Sequence, residues 1–180
     1  MSQAQQDFIK KYNTTVQNLV RGTGIFPQTI FSQAIVESQK NGMVPGTLLA
    51  TKYNNLFGIK DSMGWTGDVV DLKTGEIYNG ESTTVTAGFR VYDTPEDSFA
   101  DYVKFLKNNS RYSAALKTAN YKDQISAIAK AGYATNPGYS NLLTTVANSI
   151  SDYITPVNIG IGILLVGVLV YTFYSYYKTA

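Results

Sequence analysis

Glu37 is the residue of this chain best suited by its surroundings to transfer a proton. It follows the apolar stretch 34–36, near the end of a helix-patterned run that Pro27 can open and Gly42 can follow. A carboxyl that is partly buried among apolar side chains has a raised pKa, so it can donate a proton near pH 7. Protonation of a glycosidic oxygen requires such a group. The other interpretation of Glu37 alone is a solvated glutamate at a helix end.

The composition removes most competing catalytic chemistries. The chain has 180 residues, a formal charge of +2, no His and no Cys. Without these two residue types there is no Ser-His-Asp or Cys-His nucleophile system, no thiolate and no His-containing zinc site. The nearly neutral charge gives no support for nucleic-acid binding. Acid–base chemistry therefore has to come from Asp, Glu, Tyr or Lys, and the 14 tyrosines are suited to stacking on sugars as well as to packing.

The elements that must position Glu37 are predicted to be mostly helical. Apolar residues at helical spacing predict a first helix around 8–19, and Thr94 can cap a later helix, with Asp97 completing a capping box. Shorter helices are predicted near 111–118 and 121–131, and a last one near 139–153. Between 66 and 92, the turn-like segments 71–75 and 78–81 and the β-branched and aromatic stretch 83–92 predict a small antiparallel hairpin or three-stranded sheet. The fold class is thus α+β and mostly helical, in a lobe that covers residues 1–155.

The C-terminal part of the chain has a different composition. No residue from Val157 to Tyr177 is charged, and Pro156 separates this run from the lobe. As a helix, such a run would be roughly 30 Å long, close to the hydrocarbon thickness of a bilayer. A buried core helix is the alternative, but a core helix of this length rarely lacks a polar face. We therefore expect one transmembrane helix at 156–177, a short tail at 178–180, and anchoring by this helix rather than export by an N-terminal signal.

Four segments along the lobe form an ordered set of motifs. They are Gln33–Ser38 (QAIVES), Asn54–Lys60 (NNLFGIK), Ala87–Tyr92 (AGFRVY) with Asp101–Tyr102 behind it, and Ala131–Tyr139 (AGYATNPGY). The set, which spans about residues 25–143, resembles glycoside hydrolase family 73. The members of this family are lysozyme-like N-acetylglucosaminidases found in autolysins, flagellar peptidoglycan hydrolases and phage lysins. The resemblance implies a lysozyme-like fold.

The resemblance also implies a pair of catalytic carboxylates. The family's general acid lies at the end of the helix with the Gln-Ala-x-x-Glu-Ser pattern, which places it at Glu37. A second carboxylate on the hairpin corresponds to Glu76, which would activate water or stabilise positive charge at the sugar carbon. By sequence alone a glutamate such as Glu76 is more often a solvated turn residue, and only the resemblance favours the catalytic role. Glu81 and Asp71 are the neighbouring alternatives. Assistance by the N-acetyl group of the substrate is another route.

Four further residues are candidates for substrate binding. Tyr133 matches the family's motif tyrosine near the acid, and Trp65 is the only tryptophan, able to form the wall of a sugar subsite or to pack in the core. Asn55 and Phe57 belong to a turn whose apolar residues also suit core packing. Where the family commonly has Asp in its Tyr-Ala-Thr-Asp-Pro motif, this chain has Asn136, which removes a charge.

The resemblance leads to an expected function and setting. We expect a peptidoglycan hydrolase that cleaves the β-1,4 bond after N-acetylglucosamine, without cofactor or metal. The expected partners are peptidoglycan and, through residues 157–177, a lipid bilayer, with no nucleic acid. The expected location is a virion membrane or the envelope of a host cell. The alternatives are a lytic transglycosylase acting on the same polymer and a non-catalytic, membrane-anchored protein that binds the wall or is part of a virion.

Overall fold

The fold consists of helices around a small hairpin. The computed structural model describes residues 1–62, 64–78, 81–134, 136 and 138–156, without the side chains of 76–78 and 81–83. Its α-helices are α1 (Gln3–Val20), α2 (Pro27–Ser38), α3 (Leu48–Tyr53), α4 (Pro95–Asn108), α5 (Tyr121–Lys130) and α6 (Tyr139–Ile150). Short 3₁₀ turns lie at Ser110–Tyr112, Ala115–Lys117 and Ser151–Tyr153. The predicted mostly helical fold is confirmed, although the helix predicted near 111–118 is two 3₁₀ turns, and α3 is not among the predicted elements.

Helix α2 is the central element of the lobe. Nearly all of its residues from Thr29 to Ser38 are buried, and it packs against α1, α5 and α6. Pro27 opens the helix, as predicted. Glu37 lies in the final turn of this helix and, unlike the fully buried Ser38 beside it, keeps part of its surface exposed.

The core beside α2 is built around Phe99 of α4. Its ring lies 5.3–6.3 Å from the rings of four other aromatic residues, which come from α1, α2 and the loop after α3: Phe8, Tyr12, Phe31 and Phe57. Thr94 and Asp97 form the predicted capping box at the start of α4. This box and the aromatic contacts fix α4 against α1 and α2.

The sheet of the described residues is a two-stranded antiparallel hairpin. Strand β1 (Val69–Tyr78) pairs with β2 (Glu81–Arg90), and Glu76 lies opposite Thr83. The turn-like segment at 71–75 is not a turn, because each of its residues pairs with β2. Cross-strand pairing over ten residues outweighs the local preference of Asp and Gly for turns.

The predicted transmembrane helix at 156–177 falls almost wholly on residues 157–177, which lie outside the described residues. Among the residues that are described, no helix is both long enough and apolar enough to cross a membrane.

Candidate active site

Glu37 lies in the last turn of α2 and is half-buried there. Burial raises the pKa of its carboxyl above the ordinary value, because a desolvated carboxylate is disfavoured, while a hydrogen bond from Tyr139 partly opposes this change. A raised pKa keeps more of the acid protonated near neutral pH. Glu37 therefore has the protonation behaviour that the sequence predicted for a general acid.

The direct partner of Glu37 is Tyr139, the first residue of α6. Its hydroxyl donates a 2.6 Å hydrogen bond to Glu37 Oε1, although the two residues are 102 positions apart in the chain. The Tyr139 side chain is buried, and burial and then the neighbouring Tyr133 raise the pKa of its hydroxyl far above the ordinary value. Tyr139 consequently stays protonated and remains a hydrogen-bond donor to the carboxyl.

Tyr133 is the second tyrosine of this cluster. Its ring stacks on that of Tyr139 with centroids 5.9 Å apart, and its hydroxyl donates to the Phe57 carbonyl oxygen at 3.2 Å. Burial and then the charge of Glu37 raise the pKa of the Tyr133 hydroxyl. The predicted position of Tyr133 near the acid is thus seen in the structure, while its contact with substrate stays a prediction.

Gln33 supports the cluster from one helical turn before Glu37. It is fully buried, and its Oε1 accepts a hydrogen bond from the Tyr102 hydroxyl. Its Nε2 makes no hydrogen bond of regular geometry. The Gln33 amide nevertheless lies close enough to Tyr139 to lower the pKa of that hydroxyl, in opposition to burial. The first residue of the Gln-Ala-x-x-Glu-Ser pattern therefore contacts the tyrosines around the acid.

The loop after α3 forms the other side of Glu37. Gly58 has a φ of 64°, and a Cβ atom at this position would lie 3.9 Å from Glu37 Oε2. Because a side chain is disfavoured in this left-handed conformation, glycine lets the backbone pass close to the carboxyl without strain. The backbone of Phe57 and Gly58 thus lies beside both Tyr133 and the Glu37 carboxyl.

Asn55 holds this loop in place. Its Nδ2 donates to the carbonyl oxygens of Ile59 and Arg90, both at 2.9 Å, and its Oδ1 accepts from the Ile59 N–H at 3.1 Å. Asn55 is 1% exposed, and Phe57 is 2% exposed and stacks on Tyr102 at 4.0 Å. Their predicted contacts with substrate stay predictions, and side chains this deeply buried act on the site by positioning the loop.

Trp65 packs edge-on against Tyr92, with ring centroids 5.5 Å apart. Its indole N–H donates to the Asp68 carbonyl oxygen at 3.0 Å, and the Arg90 guanidinium lies 4.8 Å from its ring centre. It borders an open cleft of about 350 Å³ that Glu37 does not line. The other residues lining this cleft are Gly67, Asp68, Val91, Tyr92, Asp93 and Asp97. The prediction that Trp65 forms a sugar subsite remains untested.

A buried ion pair fixes the base of the hairpin to α4. Arg90 Nη1 lies 2.8 Å from Asp101 Oδ2, and the Tyr92 hydroxyl donates to the same oxygen at 2.7 Å. Burial and the Asp101 carboxylate raise the pKa of the Tyr92 hydroxyl. All three residues belong to one sequence motif, and the hydrogen bond from Asn55 to the Arg90 carbonyl oxygen joins this motif to the loop of Gly58.

Glu76 lies on β1, as predicted, in the last third of the strand. Its side chain and those of 77, 78 and 81–83 are outside the described ones, so the separation of the two carboxylates is open. Asp71, the alternative candidate, lies nearer the hairpin base, opposite Gly88. In the described part of the chain, no group of three or more His, Cys, Asp or Glu residues is arranged to hold a metal ion.

The chain is similar to a family model and to several known proteins. Residues 13–152 match the glucosaminidase family model, which is described as mannosyl-glycoprotein endo-beta-N-acetylglucosaminidase. The chain is 33% identical over 148 residues to peptidoglycan hydrolase FlgJ of Vibrio parahaemolyticus, covering 82% of this chain and 48% of that protein. It is 33% identical over 147 residues to exo-glucosaminidase LytG of Bacillus subtilis, covering 79% of this chain and 50% of that one. The chain thus spans about half the length of these curated relatives.

A solved structure agrees with the sequence comparisons. The C-terminally truncated glycoside hydrolase domain of FlgJ from Salmonella typhimurium aligns with a TM-score of 0.61 and 30% identity, covering 82% of this chain and 98% of that one. The predicted lysozyme-like fold and glycoside hydrolase domain are therefore confirmed. Because the family match covers most of its length, this chain belongs to the glucosaminidase family.

Proposed function

We propose that this chain is a peptidoglycan hydrolase that cleaves the β-1,4 bond after N-acetylglucosamine in the glycan strand. The observation that carries the proposal is the state of Glu37, a half-buried carboxyl with a raised pKa that is held by the Tyr139 hydroxyl. In the proposed reaction Glu37 donates its proton to the leaving glycosidic oxygen. Tyr139 then stabilises the carboxylate that this transfer leaves behind, because its O–H already points at Oε1.

The first test is the loss of the proton at Glu37. Glu37→Gln keeps the shape of the side chain and its hydrogen-bond acceptor, so we expect release of glycan fragments from purified sacculi to fall by about 10²–10⁴-fold. Glu96→Gln is the matched control, since Glu96 is exposed in the first turn of α4. Activity of Glu37→Gln equal to that of the control would refute the assignment.

We assign the second step to Glu76, which would orient or deprotonate the attacking water. Its support is the position on β1 that the family pattern assigns to the second carboxylate. We expect Glu76→Gln to reduce kcat by about tenfold or more, with little change in KM, because water activation affects the transition state alone. The matched variants are Glu81→Gln and Asp71→Asn, and a larger loss in either one would move the role to that residue.

The products separate this reaction from that of a lytic transglycosylase. The raised pKa of the Glu37 carboxyl also suits a mechanism with a single acid. A hydrolase releases new reducing ends, whereas a transglycosylase leaves anhydro-muramyl ends, and mass spectrometry distinguishes them. The same spectra separate internal cleavage from release of terminal units, which matters because one relative is named an exo-glucosaminidase.

We further propose that residues 157–177 attach this hydrolase to a membrane. The support is the sequence itself, in which this run carries no charge. Attachment to a virion membrane or to a host-cell envelope would hold the lobe beside the cell wall. There it would open a local hole as a phage enters or leaves the cell. Detection of the protein in purified membrane-containing virions would support this setting. Its presence in uninfected cells and absence from virions would refute it.

A further inference from the structure

The chain leaves the described lobe along the side of α1. Ile154 is 9% exposed and belongs to the hydrophobic core. The Thr155 carbonyl oxygen accepts hydrogen bonds from Asn13 Nδ2 at 2.8 Å and Gln17 Nε2 at 3.3 Å, and Asn13 Nδ2 also lies 3.2 Å from Thr155 Oγ1. The backbone is thus held on α1 up to Thr155, and only Pro156 separates it from the uncharged run.

The surface of α1 beside this point carries two exposed cations. At about 100° per residue, Lys10, Thr14, Gln17 and Arg21 lie on one side of the helix, adjacent to Asn13. We name these four residues the exit face. Lys10, Thr14 and Arg21 are exposed, and none of the four is acidic.

Two neighbouring features complete the surroundings of the exit face. Asp7 lies at its edge, where its carboxylate accepts a hydrogen bond from Gln3. Tyr153 is 46% exposed just before the chain reaches α1, next to the exposed Asp152. Exposed aromatic residues and basic residues both occur at the surfaces of bilayers.

We propose that the exit face rests on the anionic surface of a lipid bilayer. The inference depends on the proposed membrane attachment and specifies how the attached lobe is oriented. One residue spans at most about 3.6 Å, so a membrane segment that begins directly after Pro156 holds this side of α1 against the headgroups. Lys10 and Arg21 then lie within about a Debye length of the lipid charge, roughly 8–10 Å, where attraction to anionic lipid is effective.

This orientation restrains the catalytic end of the lobe. Gln5 Nε2 donates to Gln39 Oε1 at 2.9 Å, which joins the N-terminal part of α1 to the segment directly after Glu37. Gln5 and Gln17 are separated by roughly 18 Å along the helix axis. Glu37 is therefore held at a set distance from the membrane attachment, and its reach is limited to glycan close to the bilayer.

The test uses the absence of native cysteine, which makes single labels unambiguous. Thr14→Cys on the exit face and Thr51→Cys on α3 are each given a nitroxide label in the full chain, reconstituted in phosphatidylcholine–phosphatidylglycerol vesicles. A nickel-chelating headgroup lipid serves as the paramagnetic probe. We expect the label at position 14 to be relaxed severalfold more strongly than the label at 51, and equal or reversed relaxation would overturn the inference.

Two other outcomes have separate meanings. If the chain does not float with vesicles at all, the proposed membrane attachment fails and the orientation fails with it. If it floats but both labels respond equally, only the orientation fails. Strong coupling between nitroxides at position 14 would show that a second copy of the chain covers the exit face, which also overturns the proposal.

A charge variant tests the role of the two cations. In the Thr14→Cys background, Lys10→Glu with Arg21→Glu is expected to remove at least half of the relaxation enhancement on anionic vesicles. Lys52→Glu with Lys107→Glu is the matched control, since both lysines are exposed on other helices. Equal effects of the two pairs would show that the exit face has no specific attraction to the lipid surface.

Discussion

At the residue scale, the chemistry of Glu37 results from two opposed influences on its pKa. Burial raises the pKa and the hydrogen bond from Tyr139 lowers it, with burial the larger effect. A general acid must hold its proton at working pH and also release it in the transition state. The buried position serves the first requirement, and the Tyr139 hydroxyl serves the second.

Removal of the Tyr139 hydroxyl should therefore change the pH dependence of cleavage. Activity requires protonated Glu37, so the rate falls as pH rises through the pKa of this carboxyl. Tyr139→Phe removes the influence that lowers this pKa, and we expect the alkaline limb of the kcat/KM profile to move to higher pH. The maximal rate should fall about tenfold, because a hydrogen bond to the developing carboxylate is lost.

The control for this prediction is Tyr121→Phe. That substitution removes a tyrosine hydroxyl with a 2.8 Å hydrogen bond to Asn148. Neither residue is among the causes of the pKa shift of Glu37, which are burial and Tyr139. The control should leave the position of the alkaline limb unchanged. A limb that moves to lower pH in Tyr139→Phe would contradict the assigned role of the hydroxyl.

At the element scale, the loop 54–60 connects the acid to the hairpin. The Phe57 carbonyl oxygen accepts a hydrogen bond from the Tyr133 hydroxyl. The Ile59 carbonyl oxygen accepts one from the Arg90 N–H of β2, at 3.1 Å. Asn55 donates hydrogen bonds to the Ile59 carbonyl oxygen in the loop and to the Arg90 carbonyl oxygen on β2. The loop therefore couples the position of the hairpin base to the surroundings of Glu37.

Asn55→Ala should destabilise the lobe without changing the proposed acid, Glu37. It leaves the Ile59 N–H without its partner and removes one donor each from the Ile59 and Arg90 carbonyl oxygens, so we expect the free energy of unfolding to fall by about 2–4 kcal/mol, measured by urea denaturation. Asn109→Ala is the control, because it removes only a cap of the 3₁₀ turn at Ser110–Tyr112 and should cost about 1 kcal/mol or less. Equal costs would mean that the buried amide does not hold the loop.

The elements also show where local sequence is a sufficient guide. The capping box of α4 and the start of α2 at Pro27 were predictable, because a cap depends on residues that are neighbours in the chain. The segment 71–75 was wrongly assigned to a turn. Its conformation depends on its pairing with residues 84–88, and a short window of sequence does not contain that information.

At the scale of the whole molecule, the last described residues are part of the fold rather than a loose connection. Ile154 belongs to the hydrophobic core, and the Thr155 carbonyl oxygen accepts hydrogen bonds from two side chains of α1. The first and last parts of the lobe therefore close on each other.

Truncation tests this closure. A fragment of residues 1–156 should keep the thermal unfolding midpoint of the lobe, whereas residues 1–150 should be less stable by about 2–4 kcal/mol, because a buried Ile and its cavity are involved. The measurement is thermal unfolding followed by circular dichroism. Equal midpoints for the two fragments would show that Ile154 and Thr155 contribute nothing to the lobe.

The sequence by itself indicated the family, the mostly helical fold, Glu37 as the candidate general acid and the hairpin position of Glu76. These depend on motifs and periodicities that are read along the chain. Only the tertiary structure decided that Tyr139 is the partner of Glu37 and that Asn55 and Phe57 lie in the interior. Tyr139 was visible in the last motif, but no local pattern indicates which of several tyrosines reaches a carboxyl 102 residues away. The physical reason is that such a contact arises from the packing of α6 against α2, and packing depends on every element between them.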